Sequence, residues 1–92
     1  MASTFRKVSK MLDGDLRKLP LAKVTWVDSG SWSGWREAKE VPRGLVECQT
    51  VGWVVTSNRR VLTVVQSLNE HQQVTEAWSI PRSCVRKVQV LR

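Results

Sequence analysis

Tyrosine is absent from this 92-residue chain, and it holds one phenylalanine and one histidine. A lone histidine excludes the multi-His arrangements that bind many metals. It is His71, in the polar stretch "NEHQQ", with no nucleophile paired to it, and it reads as an exposed turn residue. No glycine-rich phosphate loop of the P-loop or dinucleotide type is present. Glu37 and Glu40 read as solvated charges rather than a catalytic carboxylate pair. The two cysteines, Cys48 and Cys84, lie far apart and form no CxxC pattern. Two buried free thiols in a reducing compartment is one reading, and a disulfide is the other. No apolar run approaches the roughly 18 residues of a membrane span. The basic start is followed by Met11-Leu12-Asp13-Gly14-Asp15, which is not the apolar core of a signal peptide. These absences set the expectations: no enzyme, no cofactor, no metal, no membrane partner, and a cytoplasmic location.

Acidic residues are also scarce. Eight Asp and Glu face fifteen Lys and Arg, for a net charge of +7. Such a field attracts nucleic acid, nucleotides or anionic surfaces, or simply keeps the chain soluble. What the chain has in excess is tryptophan, with five. Indoles bring large apolar area and one N–H donor, which suits small cores and binding surfaces alike. The length sets one domain, with about 60% of the unfolded surface buried on folding. A homo-oligomer interface would supplement so modest a core.

Residues 3–19 carry helical periodicity. Phe5, Val8, Leu12, Leu16 and Leu19 fall within about 80° on a helical wheel. Lys7, Lys10, Arg17 and Lys18 occupy the other side. Ser3 or Thr4 is a candidate cap, Gly14 a weak point, and Pro20 the stop. This predicts a basic amphipathic helix over residues 1–20.

Past Pro20 the period becomes two. "LAKVTWVD" is a first strand, with Ala22, Val24 and Trp26 on one face. Residues 29–44 form a long connection, and "WREAKE" suggests one helical turn before Pro42 and Gly44. "LVECQTVGWVVTS" is a long second strand whose apolar phase slips beside Gly52, predicting a bulge or bend there. "VLTVVQSL" and "QVTEAWSI" are the next two strands, with Val74, Trp78 and Ile80 on one face of the latter. "PRSC" is a tight turn, and "VRKVQVL" closes the chain with Val88 and Val90 inward. Residues 21–92 are thus mainly β, five strands able to roll into a small barrel.

The richest cluster for binding is the 27–37 segment, "VDSGSWSGWRE". It offers hydroxyls at Ser29, Ser31 and Ser33, a carboxylate at Asp28, a guanidinium at Arg36 and indoles at Trp32 and Trp35. Gly30 and Gly34 allow close backbone approach. Indoles stack on bases and arginine pairs with phosphate. The plain structural alternative is an Asx turn at Asp28-Ser29-Gly30 with Trp35 plugging the barrel end. Trp26, Trp53 and Trp78 alternate with inward residues and are expected in the core. Arg59 and Arg60 sit at a hairpin tip where they can guide an anion. Lys7, Lys10, Arg17 and Lys18 form a second candidate phosphate-contacting stripe, or a solvated helix face. Arg82, Arg86 and Lys87 could extend a positive rim.

Two resemblances follow. A helix, five strands with a bent second one, and a one-turn segment such as "IPRSCV" before the last strand resemble the Sm-like and SH3-like small barrels. The residues Trp26, Asp28, Ser29, Gly34, Trp35, Gly52, Trp53, Ile80 and Pro81 resemble a pattern in short bacteriophage proteins, mostly of unknown function. The basic N-terminal segment does not belong to that pattern. The 27–37 loop and nearby arginines point to capture of an anionic nucleotide-type ligand, and the phage resemblance implies a purpose, sequestration of a host defence signal. An RNA- or single-stranded-DNA-binding barrel is the first rival. A protein-partner module that inhibits or scaffolds a host or phage protein is the second.

Overall fold

The structure, a computed structural model, describes residues 5, 7–29, 33–41 and 44–92. Five antiparallel strands form one sheet: β1 (Leu21–Asp28), β2 (Val46–Ser57), β3 (Val61–Leu68), β4 (Val74–Pro81) and β5 (Val85–Val90). Their order is β4-β3-β2-β1-β5. β4 and β5 do not pair with each other, so the sheet is open and the expected closed barrel is not formed. A curled sheet replaces it.

β1 alternates strictly, with Ala22, Val24 and Trp26 buried between partly exposed neighbours. Across the ladder, Ala22 faces Gly52, Val24 faces Thr50 and Trp26 faces Cys48. The buried positions of β2 are therefore Thr50, Gly52 and Val54. No bulge stands at Gly52 in the β1–β2 ladder: the register is continuous from Leu21↔Trp53 to Asp28↔Val46. The apolar pattern misleads because two inward positions are held by a threonine and a glycine, while Val51 lies outward and exposed. Thr50 is inward because its Oγ1 accepts a hydrogen bond from Trp26 Nε1–H at 3.0 Å. Gly52 is required by crowding. A Cβ there would lie 2.5 Å from the backbone oxygen of Val65. The irregularity sits further on, between Val54 and Thr56 in the β2–β3 pairing.

The inner face carries the core: Ala22, Val24, Trp26, Val54, Leu62, Val64 and Ile80, joined by Phe5, Val8, Leu16 and Leu19 from the N-terminal segment. Each fully buried aliphatic side chain contributes about 1.5–3 kcal/mol. That segment is not the long helix expected. α1 spans only Val8–Met11, and a 3-10 turn follows at Leu16–Lys18. The stretch between holds Asp13, Gly14 and Asp15, poor helix formers. Asp15 instead caps the 3-10 turn, its side chain accepting from the Arg17 N–H. Phe5, Val8, Leu16 and Leu19 still reach the core, but by two short turns rather than one rod, and Leu12, where the helix breaks, is exposed. The proposed caps Ser3 and Thr4 lie outside the described residues.

Two turns close the hairpins by the same device. Asn58 Oδ1 accepts from the N–H groups of Arg60 and Val61. Asn69 Oδ1 accepts from His71 and Gln73. Single 3-10 turns stand at Ala38–Glu40 and Arg82–Cys84, where "WREAKE" and "PRSC" predict them. Both cysteines are free and partly buried. Among the described residues, no helix is long and apolar enough to cross a membrane.

Candidate functional site

The pairing places the connections at two opposite ends. β4 ends beside the start of β3, with Pro81 opposite Val61. The Arg82–Cys84 turn therefore meets the Asn58–Arg60 turn. Arg82 N–H donates to Arg60 O at 3.0 Å, and its guanidinium donates to Asn58 O at 3.0 Å and Ser57 Oγ at 2.5 Å. β5 then starts beside the end of β1, with Val85 opposite Trp26. Two residues later β1 gives way to the long connection. The Arg82–Cys84 turn thus bridges the β2–β3 turn and the last residues of β1.

This end is rich in arginine. Arg59 and Arg60 are exposed at the turn tip, and exposed Arg86 donates to Ser83 O at 2.9 Å. Among the described residues, the ion pairs are Arg17–Asp15 at 2.9 Å and His71–Glu70 at 3.7 Å. Among the described residues, none of Arg59, Arg60, Arg82 and Arg86 forms an ion pair with a carboxylate.

The connection itself is solvent-facing where it is described. Asp28 Oδ1 accepts from Ser29 N–H at 2.8 Å, the next residue; Gly30, on which the expected Asx turn closes, lies outside the described residues. Gly34 has φ of 95°, a backbone geometry that favours glycine. Arg36 donates to Ser33 O at 3.4 Å. Trp35 is fully exposed and plugs nothing. The open sheet explains this, since there is no closed barrel end to fill. Gly30, Ser31, Trp32 and Pro42 lie outside the described residues.

Lys7, Lys10, Arg17 and Lys18 do not join this cluster. Leu16 N–H donates to Gln72 Oε1 at 2.8 Å, tying the N-terminal segment to the β3–β4 turn at the far end. Arg17 is engaged locally with Asp15. The hydrogen bonds from the Arg17 side chain, then from its backbone N–H, hold the Asp15 carboxyl below its ordinary value. A shallow groove of about 350 Å³ also lies at the far end, lined by Ser67, Leu68, Asn69, Gln73, Val74 and Thr75. It holds no cation. His71 is exposed there beside Glu70. Among the described residues, no group of three or more His, Cys, Asp or Glu could hold a metal ion.

The tryptophans divide. Trp26 is buried and hydrogen-bonded. Trp53 is half-buried, and its Nε1–H has no partner among the described residues. Trp78, expected in the core, is 46% exposed. Its strand is the edge of the sheet, so one flank has no neighbour to cover it. Sequence reasoning also missed the anchoring role of Arg82, whose partners lie 24 and 25 residues away. No local signal encodes that contact. No family model, curated protein or solved structure matches this chain.

Proposed function

We propose that the chain is a non-catalytic binding protein for single-stranded nucleic acid, held at the arginine-rich end of the sheet. The observation that carries this reading is the clamp made by Arg82. It joins two turns and gathers Arg59, Arg60, Arg82 and Arg86 without a neutralising carboxylate. Unpaired guanidinium groups contact phosphates without regard to sequence. Exposed indoles on the same protein supply faces for bases. An open, solvent-facing surface suits a strand that passes across it.

A single nucleotide is the second reading. Trp35 stands next to Arg36 after the tight turn at Gly34, an indole and a cation matched to one base and one phosphate. Sequestration of a host nucleotide signal belongs to that reading. The unpaired edges of β4 and β5 support the homo-oligomer that so small a core would benefit from.

Fluorescence anisotropy with a labelled oligothymidylate, titrated over a range of salt, tests the first reading. Binding that weakens steeply with salt is expected. No binding to the strand, with saturable and salt-tolerant binding of a mononucleotide, would overturn it in favour of the second.

A further inference from the structure

Trp78 is both partly exposed and held in a ring contact. It is 46% exposed, while Ile80, on the same face two residues on, is 1% exposed. Yet the ring is not loose. Its centroid lies 6.2 Å from that of Trp26, the planes tilted by 49°. β2 and β3 lie between β1 and β4 in the sheet, so this contact crosses the inner face. Trp26 is itself fixed, 8% exposed and bonded through Nε1–H to Thr50. One part of Trp78 therefore rests against a buried, hydrogen-bonded ring, and the rest faces solvent.

Its position is equally specific. Trp26, the brace, is opposite Val85, the residue that follows the Arg82–Cys84 turn. Trp78 itself lies four residues before Arg82 on the strand that leads into that turn. The indole pair thus stands between the end of β1 and the turn that gathers the arginines.

We propose that Trp78 is the base-stacking residue of this surface, in which role it rests on the single-strand reading above. A base laid on its exposed face would extend the Trp26–Trp78 pair by one ring. A strand-borne, braced indole loses little conformational freedom when a ligand stacks on it. Trp35, carried on a long connection, lacks that advantage. The neighbouring arginines would take the phosphates on either side of the stacked base.

The test compares wild type with Trp78→Leu, Trp78→Phe and Trp35→Ala. Each is titrated into a labelled oligothymidylate of about 12 nucleotides, and into an abasic strand of equal length. Trp78→Leu should weaken oligothymidylate binding roughly five- to hundredfold and leave abasic binding unchanged. Trp78→Phe should retain most of the affinity, and the salt slope should not move, because no charge is removed. Trp35→Ala should have the smaller effect.

Wild-type binding with no loss in Trp78→Leu overturns the stacking role and leaves the single-strand reading intact. An equal loss on both strands assigns Trp78 a structural role instead. A smaller assembly mass by light scattering, with unchanged affinity, makes Trp78 a contact between copies. Failure of wild type to bind either strand overturns both proposals.

Discussion

At the end of the sheet that holds the β3–β4 turn, the N-terminal segment lays Phe5, Val8, Leu16 and Leu19 over the inner face. One polar contact, Leu16 N–H on Gln72, completes that closure. At the opposite end the closure is made by Arg82, reaching Ser57 and Asn58 from another turn. The comparison shows two ways to fasten an open sheet. Apolar fastening leaves its cations on the outside, where Arg17 pairs with the nearby Asp15. Arginine fastening gathers cations at the seam and leaves them without acidic partners. On the proposed reading the second end is the one that takes an anion, because its guanidinium groups are gathered at one seam.

Substitutions can break each end in turn. Leu19→Ala should have the largest effect. Leu19 is 1% exposed, and its truncation should cost about 2–5 kcal/mol in urea unfolding. Gly52→Ala strikes the middle of the sheet, which both ends depend on. Its Cβ would meet the Val65 carbonyl at 2.5 Å, and backbone on both sides resists a shift. A loss of about 1–3 kcal/mol is expected by the same measurement. A stability unchanged from wild type would show that β2 and β3 can separate at this point.

Arg82→Ala removes two side-chain hydrogen bonds at the polar seam. Its stability cost should be about 1–3 kcal/mol, with weaker strand binding in the same variant. Arg82→Lys should recover little, since one ammonium cannot reproduce the planar fork on two acceptors. Asp15→Asn should have the smallest effect. The Asp15 carboxyl is held below its ordinary value of 3.8, so its stabilising contribution is present above that pH. The contribution is lost as pH falls through the lowered value. Thermal unfolding from neutral to acid pH should therefore show a slight convergence of Asp15→Asn with wild type at the acid end.

Much of this contrast was legible in the sequence. The five strands follow from period-two alternation, and β1 and β3 begin and end where the pattern does. The turns at Asn58 and Asn69 follow from their composition. The inward face of β2 was hidden, because Thr50 and Gly52 are inward for reasons that lie on other strands. Thr50 answers Trp26, and Gly52 yields to Val65. The N-terminal wheel identified Phe5, Val8, Leu16 and Leu19 as buried, yet it also placed exposed Leu12 inward and missed the break at Asp13, Gly14 and Asp15. Closure of the barrel depends on whether β4 meets β5, a long-range matter that no strand pattern reports. The same long-range geometry decides the site. Arg59 and Arg60 were legible as a turn tip, but their assembly with Arg82 arises only when β4 returns beside β3. Trp78, expected in the core, and the plug alternative for Trp35 share this cause, since both need a closed barrel and the sheet stays open.

The most direct measurement compares strand affinity and its salt dependence in two double variants. One is Arg59→Ala with Arg60→Ala, at the arginine-fastened end. The other is Lys7→Ala with Lys10→Ala, at the apolar end. The expected result is weaker oligothymidylate binding in the arginine variant alone, with the slope of log affinity against log salt shallower by about 1.4. An equal loss in both variants, or a loss confined to the lysine variant, would contradict the assignment of binding to the arginine end.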